Sequence, residues 1–141
     1  MEIVNFEEKF LDDIIKIEKK SFINPWTKDM FLSSAKNSAV KFRILIKNKT
    51  VVGYYVISSV ADETEILDIA VNPDFRKQSL GKSLLEDIKK EAAGKIFLEV
   101  RKSNVAALNL YKLFNFEEIA IRKRYYKNED ALILRLVKEI I

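Results

Sequence analysis

The residues best suited to binding chemistry lie in a short basic loop at positions 76–82, which joins a predicted strand to a predicted helix. The helix is predicted from Leu80 onward because apolar residues recur there every three to four positions. The first turn of a helix leaves backbone N–H groups without partners, and the helix dipole adds partial positive charge. Lys77 and Lys82 add full charges, and Gly81 permits a close backbone approach. These features predict a pyrophosphate site, although an ordinary connection with a solvated basic rim fits the local chemistry equally well.

The chain contains no His and no Cys, which narrows the chemistry of any active site. Ser-His-Asp and Cys-His catalysis are excluded, and the commonest neutral metal ligand is missing, so no metal is expected. Acid–base work must fall to Asp, Glu, Tyr, Lys or water. An acyl-thiol enzyme intermediate is excluded, so acyl chemistry would require direct transfer between two bound substrates. The absence of Cys also fits a reducing, cytoplasmic compartment.

The composition is that of one compact domain, which we predict to span residues 1–141. Hydrophobic residues make up 48% of the chain, enough for one core. No apolar run is long enough to cross a bilayer, and no N-terminal signal pattern occurs. The net charge of +4 favours the approach of an anionic cofactor. Nucleic-acid binding is weakly supported because basic and acidic residues are interleaved almost everywhere.

Hydrophobic periodicity predicts an α/β domain with a mixed sheet. Strands are predicted at 2–6, 40–47, 50–60, 65–71, 95–101, 117–124 and 131–137, and helices at 10–18, 28–35, 80–93 and 104–114. The first four strands form a meander, with turns at 48–49 and 62–64. The strand at 95–101 follows a helix and is therefore predicted to run parallel to the preceding strand. Gly94 should end that helix by taking a left-handed φ.

The loop at 76–81 resembles the R/Q-x-x-G-x-G/A motif of the GNAT family of N-acetyltransferases, which bind acetyl-coenzyme A (acetyl-CoA). Arg76 and Gly81 match its ends, and Ser79 stands where the family has its middle Gly. The resemblance implies the GNAT fold: a mixed, mostly antiparallel sheet with about four flanking helices and a splayed parallel strand pair, 65–71 and 95–101. The coenzyme contacts that it implies are Ile69, Ala70, Val71, Arg76, Lys77, Gln78, Ser79, Leu80, Gly81, Lys82 and Asn104.

Each part of the coenzyme has an implied partner. The backbone of residues 69–71 would pair with the pantetheine arm, and the N–H of Val71 would meet the thioester carbonyl. Asn104 would contact the same arm, although its position alone fits a simple helix cap. The Cβ of Ser79 would crowd the phosphates, which puts the affinity for the coenzyme in question more than its identity.

A second motif is more specific. Residues 98–116, LEVRKSNVAALNLYKLFNF, resemble the LEVR-x-SN-x-x-A-x-x-LY-x-x-x-F signature of one GNAT subfamily, the ribosomal-protein-alanine N-acetyltransferases (RimI-like). Residues 22–27 resemble its F-x-x-P-W-S/T loop, and residues 69–73 its IAV-x-P strand end. Asn115 replaces a Gly of most members, and Asn tolerates a left-handed φ. The implied activity is acetyl transfer to the N-terminal alanine of a small-subunit ribosomal protein. An acetyltransferase acting on Lys side chains or small amines, or a non-catalytic coenzyme-binding module, remains an alternative.

By this resemblance, Glu99 is the general base and Tyr111 the acid for the departing thiolate. An α-amine with a pKa near 8 is about 3 kcal/mol easier to deprotonate at neutral pH than a Lys amine with a pKa near 10.4. Burial would raise the pKa of Glu99 and suit it to this task. A phenol is a weaker acid than a thiol, so Tyr111 should act first as a hydrogen-bond donor. Without the motif, Glu99 could equally be a solvated strand residue and Tyr111 a packing residue.

Three aromatic side chains are candidates for binding the acceptor peptide. Trp26 follows Pro25 in a loop, where it would either fill the core or form the wall of a substrate groove. Tyr125 and Tyr126 fall in the last hairpin loop, where they would either hold the peptide or close the sheet as surface aromatics.

Overall fold

The computed structural model describes residues 1–76, 79–126 and 128–137 as a seven-stranded sheet with helices on both faces. The strands are β1 (Glu2–Asn5), β2 (Val40–Lys47), β3 (Thr50–Val60), β4 (Glu63–Val71), β5 (Lys95–Arg101), β6 (Glu117–Arg122) and β7 (Ala131–Val137). The helices are α1 (Leu11–Ser21), α2 (Lys28–Lys36), α3 (Leu80–Glu91) and α4 (Val105–Leu113). Short 3₁₀ turns occupy Glu8–Phe10 and Pro73–Phe75. None of the described helices is long and apolar enough to cross a membrane.

The strands are ordered β1-β2-β3-β4-β5-β7-β6 in the sheet. The first four are antiparallel neighbours in chain order, which confirms the predicted meander. The connection through α3 makes β5 parallel to β4, also as predicted. β7 pairs antiparallel with β5 and leaves β6 at the edge. The sheet is therefore mostly antiparallel, with one parallel pair.

That parallel pair separates soon after it begins. In the described chain, β4 and β5 are paired only where Glu63–Glu65 face Lys95–Phe97. Directly beyond this point, Val56 of β3 faces Asp68 while Ile57 faces Ile66, so Leu67 is an extra residue in β4. Such a β-bulge bends its strand, and the bend directs the rest of β4 away from β5. The splayed pair implied by the family resemblance is confirmed.

The bulge also changes which side chains share a face. Strict alternation would place Leu67 with Ile69 and Val71, but Leu67 packs in the hydrophobic cluster beneath α1 and α2. Ile69 and Val71 pack in the opposite cluster, beneath α3 and α4. As a result, the side chain of Asp68 lies on the α1 side of the sheet, where it interacts with Glu18.

The helices divide the sheet into a covered and an uncovered region. α1 packs on β3 and β4, and α2 packs on β2, while α3 packs on the other face of β3 and β4. Ile96, Leu98 and Val100 of β5 belong to the cluster beneath α3 and α4. The alternate residues of β5 therefore point to the opposite face. In the described part of the chain, the α1–α2 cluster contains no residue of β5, β6 or β7, so this half of that face is uncovered.

Some predicted boundaries were wrong by a few residues. β4 begins at Glu63 because Ala61, with a φ of 52°, completes the preceding turn earlier than the 62–64 prediction placed it. α3 ends at Glu91, where Ala92 becomes extended. Gly94 does take a left-handed φ, of 58°, but in the turn that leads into β5. β6 ends at Arg122, two residues before its predicted end. The predicted left-handed φ of Asn115 is confirmed at 68°.

Candidate active site

The second half of β4 presents backbone groups to the gap between β4 and β5. The N–H of Asn72 donates to the carbonyl of Val52 on β3 at 2.8 Å, so the backbone groups of Asn72, directly after β4, point toward β3. Alternate residues of an antiparallel strand direct their backbone groups to the same neighbour, so Ile69 and Val71 direct theirs toward β5. Ala70 lies between them and faces Tyr54 of β3. This strand edge is suited to pairing with an extended ligand, as the predicted pantetheine contact requires.

The start of α3 lies beside the end of β4. Ser79 is the N-cap residue, with φ 60° and ψ 22°, and its side chain makes no capping hydrogen bond. The N–H of Ser83 donates to the Ser79 carbonyl at 3.2 Å, so the N–H groups of residues 80–82 precede the first intrahelical bond. Arg76 and Lys82 are exposed on either side. Lys77 and Gln78 lie outside the described residues. These features fit a diphosphate.

Gly81 lies where α3 comes close to α4. A Cβ at this position would lie 2.9 Å from Cδ2 of Leu110 on α4. The left-handed conformation that this loop requires falls on Ser79 instead. The two small positions of the motif thus differ: position 79 takes an unusual φ, and position 81 lies close to the Leu110 side chain of α4.

Replacing Ser79 with Gly is expected to raise both stability and coenzyme affinity. A left-handed φ costs a residue with a Cβ about 1 kcal/mol, which Gly avoids. For a chain of this size, that predicts a rise in Tm of about 4 °C. Thermal melts and calorimetric titration with CoA would measure both effects. Ser79→Ala is the matched control, because it keeps the Cβ and the strain. Weaker CoA binding by Ser79→Gly would show that the hydroxyl contributes more than the Cβ obstructs.

Glu99 lies on the uncovered face of β5 and is partly buried, with 24% of its side chain exposed. Its Oε1 forms an ion pair with Nη1 of Arg122, at the end of β6, at 3.1 Å. The charge of Glu99, together with burial as the larger cause, raises the pKa of Tyr126. Glu99 therefore lies in a polar cluster at the hairpin end of the sheet. The burial that the sequence argument expected for it is only partial.

Tyr111 lies on the α3–α4 side of the sheet. Its ring is buried and packs edge-on against Phe116, with 5.6 Å between ring centroids. Burial, followed by the charge of Asp68 on β4, raises the pKa of its phenol above the usual value. A higher pKa makes Tyr111 a weaker acid and favours the predicted hydrogen-bond donation over full proton transfer.

The loop between β6 and β7 brings both predicted tyrosines close to Glu99. Tyr125 and Tyr126 pack edge to face at 5.0 Å, and Tyr125 is 52% exposed. The guanidinium of Arg122 lies 5.4 Å from the Tyr125 ring, and that of Arg101 lies 4.1 Å from the Tyr126 ring. Arg101 is held in turn by Glu129 at 2.9 Å. Both tyrosines thus line the uncovered face, in a position to contact a peptide near Glu99.

Trp26 combines features of its two predicted positions, and Asn104 is the helix cap that its place in the sequence allowed. The Trp26 ring is partly buried and packs against Phe31 at 5.2 Å, so it contributes to the core with one side and faces solvent with the other. Asn104 caps α4, since its Oδ1 accepts from the N–H of Ala107 at 3.2 Å. The amide NH₂ of Asn104 is not used in that cap and is exposed.

Sequence reasoning missed Arg122 and the pairing of Glu18 with Asp68. Arg122 had no local signal, because only the fold brings β6 and β5 to the same face. Glu18 did have a local sequence signal. It follows Ile14 by four positions and so falls on the apolar stripe of α1, where a carboxylate is unusual. No group of three or more potential metal ligands occurs among the described residues.

A gap between parallel strands that opens beside a free helix N-terminus, with a carboxylate on the adjacent strand, fits the predicted acetyl-CoA-dependent acyltransferase. The sequence matches the acetyltransferase (GNAT) family over residues 11–116. The chain belongs to this family, and the predicted family, fold class and N-acetyltransferase activity are confirmed.

Two curated relatives and one solved structure show which members of the family this chain is similar to. The chain is 39% identical to a Bacillus subtilis protein with the provisional name ribosomal protein bS18-alanine N-acetyltransferase, over 92% of this chain and 91% of that one. It is 34% identical to the ribosomal protein bS18-alanine N-acetyltransferase of Escherichia coli K12, over 95% of each. The crystal structure of the ribosomal-protein-S18-alanine N-acetyltransferase from Escherichia coli is also similar, with a TM-score of 0.89 and 31% identity over 99% of this chain and 95% of that chain.

Proposed function

We propose that this enzyme transfers the acetyl group of acetyl-CoA to the N-terminal α-amine of a protein, and that its acceptor is the N-terminal alanine of ribosomal protein bS18. The observation that carries the proposal is the gap between β4 and β5, which opens beside the α3 N-terminus and is bordered by the strand of Glu99. The choice of acceptor is supported by relatives of 34–39% identity that are named for this substrate. A ribosomal substrate places the reaction in the cytoplasm.

Acetyl-CoA, the acetyl donor, is bound by backbone groups and two exposed cationic side chains. The free N–H groups of residues 80–82 and the charges of Arg76 and Lys82 bind the diphosphate. Ile69 and Val71 provide the strand edge for the pantetheine arm, and the amide NH₂ of Asn104 is available to the same arm. The bound thioester supplies an activated acetyl group, and a backbone N–H of β4 is the proposed donor to its carbonyl oxygen.

Glu99 is the proposed base that removes a proton from the acceptor ammonium, directly or through one water. The ion pair with Arg122 is made through Oε1, and Oε2 is the oxygen proposed to take the proton of the amine. Because α1 and α2 leave this part of the sheet uncovered, a peptide terminus has access to Glu99. Tyr125 and Tyr126 beside it are the proposed contacts for the following residues of the peptide, with Trp26 at the edge of the α1–α2 region.

Replacing Tyr111 with Phe is expected to lower kcat by about 10- to 100-fold, because one donor to the developing thiolate charge is lost. The KM for acetyl-CoA should change little, since the phenol is proposed to act mainly in the transition state. Steady-state kinetics would measure both quantities. Tyr111→Phe keeps the ring packing against Phe116, so thermal melts should match those of the parent chain. An unchanged kcat would leave Tyr111 with a packing role only.

The function itself is tested with two peptides of the same sequence. One begins with a free Ala and the other is blocked at its N-terminus, and both contain one Lys. At pH 7 the free peptide should be acetylated about 100-fold faster, from the difference between the two amine pKa values. Mass spectrometry should locate the acetyl group on the α-amine. Transfer only to the blocked peptide would refute the proposal and favour a Lys acetyltransferase.

A further inference from the structure

Two acidic side chains, Glu18 of α1 and Asp68 of β4, are buried together on the face of the sheet that α1 covers. Glu18 is 1% exposed and Asp68 is 8% exposed. Glu18 Oε1 accepts from the O–H of Tyr54 at 2.6 Å, and Glu18 Oε2 accepts from the backbone N–H of Trp26 at 2.9 Å. Asp68 has a buried Oδ2 to which none of the described residues donates a hydrogen bond. A buried carboxylate oxygen without a donor is costly, so this arrangement requires a further proton.

One proton shared by the pair satisfies both groups. Neither carboxyl forms an ion pair with a Lys or Arg of the described chain, and two like charges at this depth disfavour each other strongly. Glu18 already accepts two hydrogen bonds, which stabilise its charged form. A proton on Asp68 turns that carboxyl into a donor to Glu18. Burial, aided by the hydrogen bond and the charge of Glu18, raises the pKa of Asp68 to about 9.

Two further titratable groups interact with Asp68, both of them phenols. Burial, then the charges of Asp68 and Glu18, raise the pKa of Tyr54 on β3. Burial, then the charge of Asp68, raise the pKa of Tyr111 on α4. Both phenols therefore stay neutral over the range in which Asp68 ionises. Of the three groups with raised pKa values, on β3, β4 and α4, Asp68 is the one that ionises between pH 7 and pH 10.

We propose that Glu18 and Asp68 share one proton and thereby hold the loop at residues 22–27 against β4, as positioning residues for the acceptor side of the active site. The loop connects α1 to α2 and carries Trp26, whose backbone N–H is bound by Glu18. Asp68 belongs to the part of β4 that borders the gap. The pair thus joins the loop to that strand. The inference rests on the proposed function only in assigning this loop to the acceptor.

Loss of the shared proton should loosen the loop. Once Asp68 ionises, two negative charges face each other without a bridging proton, and the hold of Glu18 on Trp26 weakens. Asp68→Asn separates this effect from every other titration. Its carboxamide donates an N–H to Glu18 at any pH, and all other ionisable groups are retained.

Trp26 is the single Trp of the chain and reports on the loop without any substrate. In the parent chain, its fluorescence emission should shift between pH 7 and pH 10 with a midpoint near 9. In Asp68→Asn, the emission should stay constant over the same range. Folding stability gives a second substrate-free readout. The stabilisation that the proton on Asp68 provides is complete below the unfolded pKa of 3.8 and is lost as pH rises through the folded pKa of about 9, so parent stability should fall relative to Asp68→Asn across that window.

The kinetics of peptide acetylation then test whether the Glu18–Asp68 pair affects binding of the acceptor peptide. Between pH 7 and pH 10, the KM for the Ala-starting peptide should rise about tenfold more in the parent than in Asp68→Asn, the effect of one charged hydrogen bond. The KM for acetyl-CoA should follow the same course in both proteins. The shared-proton proposal would be overturned if the parent showed no fluorescence transition, or if Asp68→Asn showed the same transition as the parent. A normal transition with equal peptide KM profiles would overturn the positioning role. A peptide that is never acetylated refutes the proposed function alone, since the fluorescence and stability tests need no substrate.

Discussion

Replacing Glu99 with Gln lowers kcat/KM for an Ala-starting peptide by an expected factor of about 10² to 10³, the usual contribution of a general base. Gln has nearly the same shape and keeps a carbonyl oxygen facing Arg122, so the loss isolates the ability to accept a proton. Steady-state rates with saturating acetyl-CoA would measure it. Calorimetric CoA binding should be unchanged, because the proposed coenzyme contacts lie on β4, α3 and α4.

The pH profile distinguishes lost proton transfer from a general disturbance of the site. Near pH 7 most α-amines are protonated, so a base is needed to remove the proton. Above about pH 9 most α-amines are already deprotonated, so the base matters less. The difference between the parent and Glu99→Gln should therefore narrow as pH rises. Glu118→Gln is a suitable control, since Glu118 is an exposed residue of the edge strand β6. A Glu99→Gln variant as active as this control at pH 7 would leave the enzyme without its proposed base.

Features specified by neighbouring residues could be predicted from the sequence. Thr27 caps α2, and its Oγ1 accepts from the N–H of Met30 at 3.2 Å. Asn48 and Lys49 both take positive φ values, 51° and 63°, as a tight hairpin turn between twisted strands requires. The loop proposed to bind the diphosphate, at the start of α3, is likewise a local arrangement of strand, turn and helix. Each of these features depends on residues that lie close together in the sequence.

Features that depend on distant residues could not be predicted in the same way. The bulge at Leu67 arises from the register between β3 and β4, and a side-chain pattern read along one strand does not reveal it. The Arg122–Glu99 ion pair requires β6 and β5 to be separated only by β7, which chain order does not imply. The sequence alternation on β5 did place Glu99 opposite the buried face. It did not show that the helices would leave that face uncovered.

Replacing Gly94 with Ala is expected to destabilise the fold by about 3 kcal/mol or more, which places it among the severe single substitutions. Gly94 has a φ of 58°, and a Cβ built there would lie 2.0 Å from the backbone carbonyl oxygen of Asp62. That same oxygen accepts from the N–H of Lys95 at 3.0 Å, at the start of the short paired region between β4 and β5. The Cβ must therefore displace the residues that set the register of the splayed pair. For a chain of this size, Tm should fall by more than about 10 °C.

Asn115→Ala is the matched control, because it separates backbone strain from the steric clash. Asn115 also has a left-handed φ, of 68°, but already carries a Cβ, so Ala there adds strain without a new contact. That variant should lose only about 1 kcal/mol. If Gly94→Ala lost no more than Asn115→Ala in chemical denaturation, the contact with Asp62 would not be what fixes β5. A larger loss, together with weaker CoA binding by the folded fraction, is expected if the close approach at Gly94 sets where β4 and β5 begin to separate.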